Sequence, residues 1–553
     1  MIALEKDSDG WSVLPTSPDA EIYVDFENGN DTTGNGSVST PYKTIEKACD
    51  VVVDGECSIV YLQNDQTFTT CDFQNLRGKS GESATRPIVF TSYEWGNAVP
   101  GNRPKLESQA QKIRVVTTGD ELQYVAFIGL ELTQGTSYDA NTLPGKTSVT
   151  LQGAVCDSIY FEDCYIHETQ GVVLGSSEQN PQITDFKLYR CVFYQCFSSG
   201  NNCGLIVSYA DNTIIDECAY IRNGWHPDHK DTNVLTRNFY THRNAGRIRV
   251  TNTLSCDTSS EDQLRSGGFV ENCVFEHGRY FLNIGFGFSV NPQGDDPVRF
   301  NGFNSTVRKS AFIDSTTFED GSNRGSQIQF SLLPSTRNGI FEDNIMANDT
   351  DSGASNNRCL RLHSVDDPID VTATEILSHG VNNMTIKNNI FYNVGSRAFF
   401  FDYSGGTGTV KNVVVSKNYI DCHGASNPMV KQVGTDTNTV YSDNTYYHRT
   451  RLQTDGTLFE YNSSNYTFAQ WVTNVESDAT WEQQSYADPT RNFPRYYREK
   501  MGYATTGTDD GDREALYQLI LLQRKGNWDV RLTATAINNW IRQGFGRSIG
   551  TSI

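Results

Sequence analysis

A short phrase recurs through the middle of this chain: alternating apolar residues, one Asn, Cys, Ser or Thr, then more apolar residues. It reads Tyr160-Phe-Glu-Asp-Cys164-Tyr-Ile, Leu188-Tyr-Arg-Cys191-Val-Phe, Ile215-Asp-Glu-Cys218-Ala-Tyr and Val270-Glu-Asn-Cys273-Val-Phe. It returns as Phe341-Glu-Asp-Asn344-Ile-Met, Ile386-Lys-Asn-Asn389-Ile-Phe, Val415-Ser-Lys-Asn418-Tyr-Ile and Tyr441-Ser-Asp-Asn444-Thr-Tyr. Looser copies centre on Thr253 and Ser310. The ten anchors span 164–444 at a mean step of about 31 residues, and a period of about 20–50 residues signals stacked structural units. Period-two apolar residues surround each anchor, so the units are built from short strands rather than helices. That pattern predicts an all-β solenoid, a parallel β-helix.

Such a solenoid lengthens by adding coils, so 553 residues need no second core. Hydrophobic residues at 37% and aromatics at 11% suffice for a long interior stack. No stretch approaches the ~20 apolar residues of a membrane span, which argues against membrane insertion. The first twenty residues show neither the basic start nor the apolar run of a secretory signal. A net charge of −21 argues against nucleic acid as a partner, because phosphate backbones select Lys and Arg surfaces. It leaves room for an anionic glycan, since a local basic cleft can override the average field. The thirteen cysteines lack paired metal spacing. Cys164, Cys191 and Cys218 instead recur 27 residues apart and share the anchor slot with Cys273, which reads as a thiol ladder exchanging with an Asn ladder. Stacked coils would set these thiols about 4.8 Å apart, where they could pack as small apolar groups or form disulfides between coils.

Residues 1–20 read as a leader or attachment segment, 21–110 as an N-terminal cap and first coils, and 111–450 as the solenoid body. Residues 451–553 read as a helical capping or assembly segment. Within the cap, Pro41-Tyr-Lys-Thr44-Ile45 begins a short amphipathic helix with Ile45, Ala48, Val52 and Val53 on one side. It would plug the open end of the first coil. Residues 512–525 place Leu516, Leu519, Ile520 and Gln523 at helical spacing, and Thr533 and Gly544 bracket a second helix.

The Tyr23-Val-Asp25 opening, its Gly/Asn/Asp-rich loop and the anchored coils resemble the pectate-lyase-like superfamily over roughly residues 21–450. The resemblance implies a right-handed parallel β-helix and the company of polysaccharide lyases, glycoside hydrolases, uronate epimerases and phage tailspikes. The stretch from Asn527-Trp-Asp to Ile541-Arg-x-Gly-Phe545 resembles a tail of uncharacterised bacterial and phage β-helix proteins. These resemblances imply a polysaccharide partner, a homotrimer, contact with other virion proteins, and a place on a virion surface or outside the cell. A secreted bacterial polysaccharide lyase and a non-enzymatic virion, decoration or adhesion protein are the alternatives.

Coils swell in the middle of the chain: 35 residues from 218 to 253, 37 from 273 to 310 and 45 from 344 to 389. Extra length leaves the stack as loops, where sites are commonly built. Four positions after successive anchors stand Arg222, Asp257, His277 and Asp314, a polar row that suits either a solvated turn ladder or an acid–base groove. A lyase needs a base and a cation that neutralises the carboxylate beside the abstracted proton. Lys230, His242 or Tyr240 could be the base, and Arg265 or Arg243 the cation. Calcium could take that role on oxygens of Asp228, Asp231, Glu261 and Asp262. A hydrolase needs two carboxylates about 5 Å or about 6.5–9.5 Å apart, for which Asp231, Asp257 and Glu261 are candidates. Arg222, Trp225, Tyr240, Arg243, His277 and Arg279 would bind substrate. His226 and His229 lack a third ligand at zinc spacing. Trp225 and Tyr240 could form a sugar-stacking platform, although aromatic residues in a coil more often face the interior.

Overall fold

In a computed structural model the chain forms two compact units, Met1–Arg249 with Gln518–Leu532, and Val250–Tyr517 with Thr533–Ile553. The structure describes residues 1–548 except 97–100, 108–112, 116–120, 135–148, 152–154, 176–182, 198–203, 209, 225–236, 242–246, 259–261, 267, 279, 285–304, 316–325, 332–338, 349–357, 364–379, 396, 403–408, 425–426 and 434–436. Among the described residues no helix is long and apolar enough to cross a membrane.

Each unit is a parallel β-helix, as the anchor period predicts. In the first unit one sheet stacks Ala20–Val24, Ser58–Leu62, Ile88–Ser92, Glu121–Ile128, Val155–Glu162, Ile183–Tyr189 and Ala210–Asp216 in parallel register. A second sheet runs through Glu131–Thr133, Tyr165–His167, Val192–Tyr194 and Ala219–Ile221. A third runs through Ile113–Val115, Val149–Leu151, Val172–Leu174, Leu205–Val207 and Phe239–Thr241. The second unit repeats the plan. Its first sheet includes Phe269–Glu271, Ser305–Arg308, Gly339–Glu342, Gly380–Lys387, Thr409–Ser416 and Thr437–Ser442.

The anchors occupy the bend between the first and second sheets, and the residue before each is left-handed. Asp163, Arg190, Glu217, Asn252, Asn272, Lys309, Asp343, Asn388, Lys417 and Asp443 all have φ near +50°. Asp and Asn tolerate that region better than other non-glycine residues, which accounts for the Asp/Asn-rich position ahead of the anchor. The anchor side chain then turns inward and ties neighbouring coils. Asn344 donates its Nδ2 to Asn389 Oδ1, Asn389 to Asn418 and Asn418 to Asn444, at 3.1, 2.9 and 2.9 Å. Glu476 closes the row: its carboxylate accepts from the Asn444 backbone and side chain, from Tyr446 Oη and from Trp471 Nε1. In the first unit Cys164 and Cys191 fill the same slot as buried free thiols. Their Sγ atoms donate weakly, Cys164 to Phe127 O and Glu162 O and Cys191 to Tyr189 O, each at 3.5 Å.

Thr44 caps the helix Ile45–Val51 through a bond from Lys47 N, and Ile45, Ala48 and Cys49 are buried. Val53, expected on the same side, is half-exposed because the helix has already ended. Residues 1–14 lie on the outer face of the first sheet. Lys6 Nζ donates to Tyr160 Oη and to the wholly buried Glu162, while Trp11 meets Trp95 and Trp528 edge-on. The far end of the second unit is closed by Phe468–Asn474, whose Thr467–Gln470 capping box holds Trp471 against Phe459. The helix Ala534–Gly544 lies along a flank instead. Asn538 donates to Asn272 Oδ1 and Lys309 O, and Arg542 donates to Asp343. These partners are the left-handed bend residues, whose turned-out polar atoms the coils leave for another element to bond.

Candidate functional site

The row four positions after each anchor is a second series of left-handed bends. Glu168, Gln195 and Arg222 in the first unit have positive φ, as do Asp257, His277, Asp314, Asn348 and Asn393 in the second. Within the second unit Asp257 and His277 meet, with His277 Nδ1 3.1 Å from Asp257 Oδ1. Burial works to lower the His277 pKa, but the bonded Asp257 carboxylate outweighs it and raises it. Beside them Glu276 accepts from Arg513 Nε at 2.6 Å and from Tyr517 Oη, and Arg513 Nη2 lies 3.5 Å from Asp314. Burial, then the Glu276 charge, push the Asp314 carboxyl up to about 7. Arg513 and Tyr517 belong to the helix Asp509–Leu521, so this group serves as its anchorage.

Few of the other sequence candidates are described. Trp225, Asp228, Lys230, Asp231, His242, Arg243, Glu261 and Arg279 lie outside the described residues, and of Asp262 only the backbone is described. Tyr240 sits on Phe239–Thr241 in the first unit, half-buried, with Arg237 5.0 Å from its ring centre. Among the described residues no three His, Cys, Asp or Glu side chains converge as a metal site.

Arg265 leads to a different place. It lies on Asp262–Ser266, the first strand of the second unit's third sheet, which continues through Tyr280–Ile284, Ser326–Ser331, Arg358–His363, Arg397–Asp402, Val430–Val433 and Phe459–Tyr461. Leu282, Ile328, Leu360, Phe399 and Val430 pair in register and fill the interior. Alternation therefore turns the intervening residues outward. They form one column: Arg265, Asn283, Gln329, Arg361, Phe400 and Lys431. At about 4.8 Å per strand the column is roughly 24 Å long.

Phe400 is the centre of this face. The guanidinium carbons of Arg358, Arg361 and Arg397 stand 4.1, 5.7 and 5.5 Å from its ring centre. Arg361 donates to Asp402 Oδ2 at 2.8 Å and more weakly to Gln329 at 3.4 Å, while Arg397 donates to Asn427 at 2.6 Å. His363 pairs in register with Asp402, its Nε2 3.9 Å from the carboxylate. Burial, then the charge of Arg361, hold the His363 pKa down at about 4, so it is neutral at neutral pH. Lys431 pairs with Glu460 at 2.7 Å. Apart from Arg265, sequence reasoning missed this face. Its signal was present as Arg358-Cys-Leu-Arg361-Leu-His363 and Arg397-Ala-Phe-Phe400-Phe-Asp402, two strands with charges on the outward beat.

No known family matches this chain, and no curated protein does either. Solved structures do match, at low identity. A rhamnogalacturonan lyase is 15% identical over 71% of this chain and 87% of its own, with a TM-score of 0.41. A mannuronic acid specific polysaccharide family 6 lyase from human gut microbiota is 13% identical over 72% and 84%, at 0.39. The tailspike protein of E. coli bacteriophage HK620, in complex with a pentasaccharide, is 9% identical over 70% and 60%, at 0.37. Likeness at this level assigns no activity.

Proposed function

We propose that the protein binds a polysaccharide along the outward face of the second unit's third sheet and cleaves it there, in the manner of a tailspike or depolymerase. The observation that carries this reading is the straight column from Arg265 to Lys431, hydrogen-bonding and cationic side chains at strand spacing around one aromatic ring. A chain of sugars can lie along such a track, with hydroxyls bonded by Asn283 and Gln329 and a ring over the arginines that surround the buried Phe400. His363, neutral and next to Asp402, supplies an acid–base group for either elimination or hydrolysis. The test is reducing-end release from a panel of bacterial and algal polysaccharides. Phe400→Ala and His363→Ala are expected to lower it at least about tenfold. Loss in Asp257→Ala alone would move the site to the Asp257–His277 bend. A homotrimer displayed on a virion or outside the cell completes the proposal, and light scattering that finds a strict monomer at micromolar concentration would remove the trimer.

A second reading, binding without cleavage, is favoured by one feature. The two described carboxylates of the face, Asp402 and Glu460, are both engaged in ion pairs. Tight binding of a glycan with no release of reducing ends would support it.

A further inference from the structure

Two buried carboxylates share one guanidinium under the helix Asp509–Leu521. Cys256, Glu276 and Ile313 are in-register neighbours on the second unit's second sheet, so Asp257, His277 and Asp314 follow one another on three successive left-handed bends. Arg513 meets them from the helix. Its Nε donates to Glu276 at 2.6 Å, its Nη1 donates to Asp510, and its Nη2 lies 3.5 Å from Asp314 Oδ2. Tyr517 Oη donates to the other oxygen of Glu276. Glu276 and Tyr517 are wholly buried, Asp314 and Arg513 are buried, and Asp510 stands in solvent.

These bonds leave Asp314 apart. Its Oδ2 is buried and accepts no hydrogen bond, and the guanidinium nearest to it is already engaged by Glu276. An ionised oxygen there would be a buried charge without a donor, beside a second carboxylate, and such a group keeps its proton instead. Burial, then the Glu276 charge, set the loss of that proton near pH 7. His277 loses its proton above its ordinary value, because the bonded Asp257 outweighs burial.

Both losses have the same sign. With Asp510 in solvent, the protonated cluster sets Arg513 and His277 against Glu276 and Asp257, and the charges balance. Once the protons leave, two negative charges stand unmatched under the helix. The surrounding groups do not offset them. Asp509 and Asp512 bond Arg498, Glu514 is a further acid, and burial pushes the Cys256 thiol up, so it stays neutral. Asn492, which faces Asp314 from the segment before the helix, carries no charge.

We propose that this cluster is a clasp worked by the Asp314 proton, holding the 509–517 stretch against the coils while the proton is present and letting it part from them when the proton leaves. The clasp does not depend on where a glycan binds. Asp314 titrates near 7 with the helix docked and at the ordinary 3.8 with it away. Its contribution to docking is therefore complete below about pH 4 and lost as pH rises through about 7. Between pH 6 and 8 the loss is about tenfold in the docking equilibrium, and His277 adds to it in the same direction.

The experiment is hydrogen–deuterium exchange of the full chain at pH 6, 7 and 8, with rates corrected for the pH dependence of chemical exchange. It compares peptides from 509–517 with peptides from the strand Thr409–Ser416. Protection of the helix is expected to lie below that of the strand and to fall at least about tenfold from pH 6 to pH 8. Asp314→Asn, uncharged at every pH, is expected to keep most of its pH 6 protection at pH 8. Asp314→Ala serves if that variant folds poorly, since it also removes the titrating group. Helix protection that is flat with pH in the wild type, or a fall that persists unchanged in the Asp314 variants, would overturn the clasp. So would a helix protected as strongly as the strand at every pH, because it would then open only with the whole unit.

Discussion

Asn389 is the residue on which the inward asparagine row turns. Its Oδ1 accepts from Asn344 N and Nδ2 at 2.9 and 3.1 Å, and its Nδ2 donates to Phe341 O and Asn418 Oδ1 at 2.8 and 2.9 Å. Asn389→Ala removes all four. Asn344 Nδ2 still reaches Val307 O, and Asn418 Oδ1 still accepts from Asn389 N, so those groups lose one bond of two. The buried Asn344 N–H loses the acceptor that Asn389 supplied. An orphaned buried donor costs about 1–3 kcal/mol and each further bond about 0.5–1.5, for a loss of roughly 3–7 kcal/mol. With a urea slope near 3 kcal/mol/M the midpoint falls by about 1–2 M. Asn389→Ser is the control. At Ser310, in the same slot, Oγ accepts from Cys273 N at 3.1 Å and donates to Arg308 O at 3.0 Å. Serine therefore still caps the N–H below it and is expected to recover at least half the loss. Equal midpoints for Ala and Ser, or an Ala midpoint within error of wild type, would refute the claim that the anchor acts by satisfying the bend.

Further outcomes follow from the titrating groups and thiols. Asp314 titrates near 7 in the folded chain against an ordinary value of 3.8, so it favours folding below about pH 4 and that contribution disappears as pH rises through about 7. Urea midpoints at pH 5 and 8 should therefore converge in Asp314→Asn; an unchanged difference would exclude this carboxyl as its source. His167 has both ring nitrogens on carboxylates, Glu131 at 3.1 Å and Glu168 at 3.2 Å. Burial opposes its charge but these partners raise its pKa, so the stability it adds is complete below its ordinary value of 6.5 and fades above it. Its imidazole resonances should titrate above 6.5, and a midpoint below that would contradict the double pairing. Cys164, Cys191 and Cys218 are buried and form no disulfide, and burial pushes the Cys164 and Cys191 thiols up. A thiol reagent should react with them only on unfolding; fast native reaction would show that the coils open locally.

Some of this protein could be read from its residues because the information is local. An Asp or Asn that accepts left-handed backbone, an Asn or Cys after it and apolar residues at period two specify a bend and its two strands wherever they occur. The Asn344–Asn389–Asn418–Asn444 row and the capping of Ala534–Gly544 by Thr533 were legible for that reason. The placement of that helix was not. It lies on a flank because Asn272, Lys309 and Asp343, far away in sequence, expose polar atoms there.

The candidate site shows the same division more sharply. The expected groove at Arg222, Asp257 and His277 was inferred from a constant offset after the anchors, and the offset is real. It marks left-handed bends, where Asp257 and His277 bond each other and the neighbouring Glu276 holds Arg513 and Tyr517 of the helix Asp509–Leu521. Third-sheet strands carry no anchor and follow loops of unequal length, so nothing local aligns Arg361 with Phe400, 39 residues on. Only backbone pairing between strands sets Arg265, Asn283, Gln329, Arg361, Phe400 and Lys431 in one line. The chain's own residues determined that it would coil and which side chains would tie one coil to the next. Which cations would stand together on its surface was decided by tertiary register, because hydrogen bonds between strands ignore the length of chain that separates them.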